Sequence, residues 1–218
     1  MTPETGPAAD RIAGFWDAAA ASFDAEPDHG LRDPAVREAW ARRMEAWLPA
    51  PPADVLEPGC GTGSLALLAA EAGHRVVGVD LSPRMVGLAR AKLRGQAAVV
   101  LACDAADPPV GAQRFDAVLV RHLVWTLPDP HAALRRWVSL LRPGGRLVLV
   151  EGRWGGAASP PYVAGAECLP WSAGVAAATL AEAVRPLVAR HRVEPLDDPA
   201  LWGRPVEDER YALVAEAC

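Results

Sequence analysis

Three carboxylates stand at or near the ends of three short apolar runs: Glu57 in VLEPG, Asp80 in RVVGVD and Asp104 in VVLACD. Alternate glycines, Gly59, Gly61 and Gly63, follow the first of them in EPGCGTGS. Glycines spaced in this way let a ligand approach bare backbone, and a helix that starts just beyond them adds the positive end of its dipole. The order is G-x-G-x-G, with Ser64 in the later slot, and not the G-x-G-x-x-G of dinucleotide sites. Glu57 would repel a pyrophosphate there but can receive an ammonium group. Asp80, at the tip of its run, can accept both hydroxyls of a ribose, and Asp104 can meet an adenine amino group.

Carboxylates so separated in sequence meet only if the runs that carry them are neighbouring strands. The spacing predicts helices over 8–23 and 33–48, joined by the turn EPDHGLRDP and stopped by LPAPPA, because proline cannot continue a helix. Strands and helices then alternate: strand 54–59, helix 64–73 ending at Gly73, strand 75–80, and a helix from Pro83 capped by Ser82. Strands 97–104 and 115–122 follow, then the helix HAALRRWVSLL, the turn RPGG and the strand RLVLVEG. Beyond Gly152 the pattern loosens. A helix over 174–191, kinked or broken at Pro186, and final strands VEPL and RYALVAEA complete the reading. Short, almost uniformly apolar strands separated by helices imply a doubly wound, mostly parallel, seven-stranded α/β sheet with a helical N-terminal cap. The expected organisation is one domain over 1–218: cap 1–50, cofactor-binding core 51–152, and a substrate loop with closing helix and strands 153–218.

The bulk numbers narrow the function. With 218 residues the chain can bury a full-sized core, and its formal charge of -5 comes with no Lys/Arg-rich run, which argues against a nucleic-acid substrate. The four cysteines form no C-x-x-C pair, so zinc and redox motifs are unsupported and a reducing cytoplasm is expected. MTPETGPAAD has neither the basic nor the apolar part of a signal peptide. No apolar run approaches the roughly 18 to 20 residues of a membrane span.

At this point the chain resembles the class I S-adenosylmethionine-dependent methyltransferases, in particular the bacterial small-molecule type. The resemblance rests on VLEPGCGTGSLALLAAEAG, VVGVDLSPRMVGLARAK, CDAADPP, FDAVLVRHLVWTLPDP and LLRPGGRLVLVEG, and spans roughly residues 10 to 152. It implies the Rossmann-like methyltransferase fold, S-adenosylmethionine as methyl donor and S-adenosylhomocysteine as product. It further implies a cofactor site made of Glu57, Gly59, Gly61, Gly63, Asp80, Leu81, Met85, Cys103, Asp104, Ala105, Arg121 and Trp16.

In this fold the end of the fourth strand faces the transferable methyl, which singles out RHLVW. His122 is the expected base, its ordinary pKa lying near neutrality. Arg121 is expected to pair with the cofactor carboxylate or with a sheet-end acid. Phe23, Trp125, Trp154 and Tyr162 are expected at the acceptor, with Trp171 a further wall. The cap GFWDAAAASFD departs from its tyrosine-bearing relatives, having Trp16 and Phe23 where tyrosines are common. Asp24, Glu26 and Asp28 form a solvated turn or, if folded over the site, favour a cationic acceptor such as an amine or aminosugar. No metal is expected, since Arg121 and His122 offer no acidic ligand and Asp107 and Asp116 are the nearest acids.

SPPY, residues 159–162, resembles the base-holding motif of DNA amino-group methyltransferases. In that family the motif follows the fourth strand, whereas here it comes after the fifth, so it reads as a stiffened loop and DNA is not expected. The resulting expectation is metal-independent methyl transfer to a nitrogen or oxygen of a small molecule, carried mainly by positioning. Methylation of RNA or protein, and a non-catalytic cofactor-binding module, are the alternatives.

Overall fold

Both faces of the central sheet are covered, which is why its strands read as nearly unbroken apolar runs. The structure, a computed structural model, describes residues 7–154, 163 and 169–218. Its helices are α1 (Pro7–Phe23), α2 (Pro27–Gly30), α3 (Pro34–Trp47), α4 (Ser64–Glu71), α5 (Pro83–Lys92), α6 (Pro130–Ser139), α7 (Ala177–Val184) and α8 (Pro199–Trp202). Its strands are β1 (Asp54–Pro58), β2 (Arg75–Asp80), β3 (Ala98–Ala102), β4 (Phe115–Arg121), β5 (Leu141–Arg153), β6 (Arg190–Pro195) and β7 (Glu209–Glu216). They form a seven-stranded sheet in the order β3-β2-β1-β4-β5-β7-β6. All pairings among β1 to β5 are parallel, and β7 runs antiparallel to both β5 and β6.

Strand alternation divides the core in two. Val55, Leu119, Val150 and Val214 face α3, α4, α5 and α8, where Trp40, Trp47, Leu65 and Trp202 are buried. Leu56, Val120, Leu149 and Leu213 face α6 and α7, with Leu134, Trp137 and Leu180. The buried indoles all find acceptors: Trp40 Nε1 donates to Leu201 O at 2.7 Å, Trp137 to Ala105 O and Trp202 to Leu196 O, both at 2.8 Å. Each ring thus contributes its apolar area without stranding a polar atom.

The winding reverses between β1 and β4, so a crevice opens at the carboxyl ends of these strands. Two cap carboxylates, Asp17 and Asp24, tie the N-terminal cap over it. Asp33 caps α3 by accepting from Ala35 N at 2.8 Å and Val36 N at 3.3 Å. Asp17 of α1 accepts from Ser82 Oγ, and from Arg84 N at 3.0 Å, while Ser82 Oγ caps α5 by accepting from Met85 N at 3.1 Å. Asp24 meets Lys92 Nζ at 2.8 Å.

Two sequence expectations are corrected. The turn between the first helices contains a short helix of its own, α2, begun by Pro27. The helix expected over 174–191 is only α7, followed by a 3-10 turn at Arg185–Leu187, and His191 lies in β6. Pro186 stops the helix because it has no N–H to donate. At the other end Gly174, at φ +83, crosses so close to β5 that a Cβ would sit 2.2 Å from Gly152 O. SPPY and Tyr162 lie outside the described residues. Among the described residues no helix is long and apolar enough to cross a membrane.

Trp202 joins the cap to the sheet: it meets Trp40 edge-on at 5.5 Å, stacks parallel to His122 at 5.9 Å and lies under Arg210 at 4.4 Å. Trp202→Ala should therefore cost about 3–5 kcal/mol, the range for a large buried aromatic. Urea unfolding measures this, and a loss below about 1 kcal/mol would mean that the ring is not part of the core.

Candidate functional site

A cavity of about 580 Å³ fills the crevice under the cap. The glycine loop makes its floor. Gly59, Gly61 and Gly63 all have positive φ, at +69, +53 and +78, a region that other residues enter only with strain. At Gly61 a Cβ would make only an ordinary contact, 3.4 Å from the Phe23 ring of the cap, so the backbone angle alone calls for glycine there. Gly63 is different: it caps α4 and a Cβ there would meet Ala89 at 3.0 Å, so it serves helix packing and does not border the cavity.

Asp80 is held by two backbone donors, Gly61 N to Oδ2 and Ser82 N to Oδ1, each at 2.9 Å. One lone pair on each oxygen is thereby used, and the remaining pairs are left for a diol. Burial raises the pKa of this carboxyl, against the pull of the Ser82 and Gly61 N–H groups.

Glu57 is 4 % exposed, and its Oε2 is buried with no hydrogen-bond partner among the described residues. Burial pushes its pKa up to about 8; Arg121 opposes the shift and Asp80 adds to it. An orphaned buried carboxylate oxygen is costly unless a ligand completes it. This one fits the ammonium of a bound amino acid moiety.

Around this floor the cavity brings together Trp16, Phe23, Glu57, Gly59, Gly61, Asp80, Leu81, Met85, Asp104, Ala105, Arg121, His122, Trp125 and Trp154. Cys103 is not among them: it is half-buried and its Sγ lies 4.0 Å from Leu101 O, turned back along its own strand. Trp171 packs edge-on to His131 at 5.4 Å and is likewise absent from the lining. Asp107 pairs with Arg136 at 2.7 Å, and Asp116 joins Asp54 and Arg142 at the opposite end of the strands.

Arg121 is spent on the cap and not on a sheet-end acid by direct contact. Its Nη1 donates to Asp28 O at 2.5 Å and its guanidinium lies over Trp40 at 5.0 Å.

His122 has φ +53, unusual for a residue with a side chain, and this places its ring between Trp202 and Trp154 while its carbonyl accepts from Trp125 Nε1 at 2.8 Å. Glu151, fully buried on β5, fixes the same turn by accepting from Leu123 N at 2.9 Å and Val124 N at 3.0 Å. Burial, then the charges of Arg121 and Arg210, hold the His122 pKa well below its ordinary value, so the ring is neutral at physiological pH.

Several lining residues escaped the sequence reading. His29 comes from α2, Arg204 and Arg210 from the chain's last segment, and Ile12 from α1. The acidic turn was visible as a charge cluster, and it does fold over the site. Two of its carboxylates are matched, Asp24 to Lys92 and Glu26 to Arg204 at 3.9 Å, while Asp28 lies 3.5 Å from His29, whose pKa burial lowers. Nothing local marks Arg204 or Arg210, which reach the cavity only through tertiary packing.

Residues 56–149 match a family described as methyltransferase domain. The chain is 36% identical over 146 residues to nocamycin O-methyltransferase of Saccharothrix syringae, covering 64% of this chain and 48% of that one. It is 35% identical over 144 residues to ubiquinone biosynthesis O-methyltransferase of Xanthomonas axonopodis pv. citri, covering 62% and 54%. The chain thus spans about half the length of the curated relatives it matches. Its fold superposes on the N-methyltransferase NodS of Bradyrhizobium japonicum in complex with S-adenosylhomocysteine, with a TM-score of 0.67, 20% identity and coverage of 93% and 98%. The chain is thus similar in sequence to methyltransferases over residues 56–149 and similar in fold to a methyltransferase that binds S-adenosylhomocysteine.

If Glu57 receives an ammonium, Glu57→Gln should weaken S-adenosylhomocysteine binding by about 1.5–3 kcal/mol, a loss of roughly 10-fold or more. The sign of the pH effect follows from the raised pKa. Glu57 keeps its proton up to about pH 8 without ligand and must lose it beside an ammonium, so binding at pH 7 releases close to one proton. Calorimetry in buffers of different ionisation enthalpy reads this release, and Glu57→Gln should abolish it. Binding by wild type without proton release would remove the assignment.

Proposed function

We propose that this protein transfers a methyl group from S-adenosylmethionine to a nitrogen or oxygen of a small molecule. The observation that carries the reading is the conjunction of an orphaned carboxylate oxygen on Glu57, the doubly anchored Asp80 and the strained glycine loop around one cavity. Glu57 would hold the ammonium of the donor, Asp80 its ribose hydroxyls, and Asp104 with Leu81, Met85 and Ala105 the adenine end. The donor, when bound, supplies an activated methyl on a sulfonium.

What the chain must add is alignment and exclusion of water. Trp16 and Phe23 of α1 close the cavity from above, and Phe23 lies directly against the glycine loop. Trp125 and Trp154 meet edge-on at 5.9 Å and wall the far side. His122, neutral and bordering the cavity, can accept a proton from the acceptor. The nocamycin and ubiquinone-biosynthesis relatives are named O-methyltransferases and NodS an N-methyltransferase, which supports a small-molecule acceptor and leaves both atoms in play.

Asp80→Ala should lose about 2 kcal/mol of S-adenosylhomocysteine binding, some 30-fold, because two hydroxyls lose a charged acceptor. The direct test of function is methyl-labelled S-adenosylmethionine incubated with a panel of small amines, aminosugars, phenols and enols, the products read by mass. Label on a small acceptor supports the reading. Donor binding with label only on added RNA or protein, or nowhere, would contradict it.

A further inference from the structure

Helix α2 carries a histidine that the methyl-transfer reading leaves unused. His29 lines the cavity beside Asp28, which is 6 % exposed, and both face His122 just past the end of β4. One atom able to ligate a metal from each of Asp28, His29 and His122 lies within 4.8 Å of the others. Two nitrogens of the group, His29 Nδ1 and His122 Nε2, are buried without a hydrogen-bond partner among the described residues. Polar atoms left open in this way call for something that completes them.

Stacking limits where both rings can lie. His29 lies flat on Phe23, with ring centroids 4.3 Å apart and planes 10° apart. His122 stacks on Trp202 at 5.9 Å and meets Trp154 at 4.8 Å, and its φ of +53 is the kind of strain that gathers at ligand sites. His29 Nε2 is 3.5 Å from Asp28 Oδ2. Ligands about 2.1 Å from a tetrahedral zinc ion stand about 3.4 Å from one another, so these two atoms already span one edge of such a site. The outer torsion of a histidine is broad, and a shift of about 1 Å brings the third ligand in.

We propose that Asp28, His29 and His122 bind a divalent transition-metal ion, with zinc the ion that this ligand set and this edge suit best. Two imidazoles and one carboxylate leave a fourth position open toward the cavity, as in catalytic and not structural zinc sites. The fourth position takes water or a donor atom of the acceptor, and a His122 nitrogen bound to the ion is withdrawn from proton transfer.

Charge decides whether a dication is tolerated. Arg121 opposes one, since its guanidinium reaches the backbone oxygen of Asp28. Against it, five carboxylates line the cavity and only three arginines, two of which, Arg204 and Arg210, face Glu26 and Asp208. Among the described residues the Asp28 carboxylate has only His29 within ion-pair distance, so its charge is available to a cation. In sequence the stretch around His122 offers no acidic ligand; α2 supplies one in the fold, where Arg121 bonds its backbone.

The test uses the full chain without a histidine tag, stripped with EDTA and titrated with Zn2+ and, as a coloured stand-in, Co2+. One zinc ion per chain should stay bound through gel filtration, and Co2+ should show the intense visible bands of a four- or five-coordinate ion. His29→Phe keeps a ring on Phe23, and His122→Asn tolerates the positive φ. Each should weaken Zn2+ binding about 100-fold or more, since changes one shell further out already cost about 10- to 100-fold. Asp28→Asn should act in the same direction, while His131→Ala, outside the cavity lining, should leave binding unchanged. Circular dichroism establishes that each variant is folded. X-ray absorption of zinc-loaded wild type, which needs no variant, should show two imidazoles and an oxygen ligand.

No stoichiometric zinc in wild type, binding unchanged in the His29, His122 and Asp28 variants, or sulfur or all-water ligation in the absorption spectrum would overturn the proposal. These readouts do not involve methyl transfer, so their failure leaves that reading standing. Failure of wild type to bind S-adenosylhomocysteine would overturn that reading and not this one.

Discussion

Everything in the crevice depends on a carboxyl group kept dry. Glu57 points from β1, where Val55 and Leu56 before it are fully buried, into a cavity bordered by the glycine loop and Arg121. Burying such a group costs free energy that folding alone does not return, because one of its oxygens has no partner. The cost is offset only when a cation arrives. A fold that tolerates such an acid at the end of its first strand is poised to bind, and an ammonium group there would complete the hydrogen bonding that the polypeptide leaves open.

The cap explains why that acid stays dry. Short contacts tie two cap carboxyl groups to the core: Asp17 at the start of α5 and Asp24 to Lys92. Lys92 is the junction, donating also to Thr62 Oγ1 at 3.0 Å and Ser64 Oγ at 2.8 Å just past the glycines. Arg121 reaches back from the sheet to the cap backbone. A charge cluster that reads in sequence as a solvated turn is therefore a clasp, because Asp24 and Glu26 find their counter-charges elsewhere in the chain, on Lys92 and Arg204.

Legibility followed the range of the interactions. The strand-turn-helix unit around Gly59–Ser64, the acid at the tip of β2 and the N-cap Ser82 are local patterns, and each appears where the sequence puts it. The doubly wound sheet was legible because burial on both faces leaves an unbroken apolar signature in each strand. The end of α7 was misjudged because alanine-rich sequence favours helix through residue 191, while pairing with β7 pulls Arg190–Pro195 into the sheet. Cys103 was expected at the cofactor, but it follows the end of β3 and its Sγ turns back toward Leu101 O, a side-chain direction that no sequence pattern sets. His29, Arg204 and Arg210 were missed for a different reason: residues distant in sequence meet at the cavity through the α3–α8 packing, which no local pattern announces.

The account's central claim concerns where the ligand's polar groups lie, and a crystal structure of the protein with S-adenosylhomocysteine tests it most directly. The account predicts the ammonium within hydrogen-bond distance of Glu57 Oε2, both ribose hydroxyls on Asp80, and the sulfur facing a space bordered by His122 and His29. An amino acid moiety bound away from Glu57, or a ribose that does not touch Asp80, would contradict it.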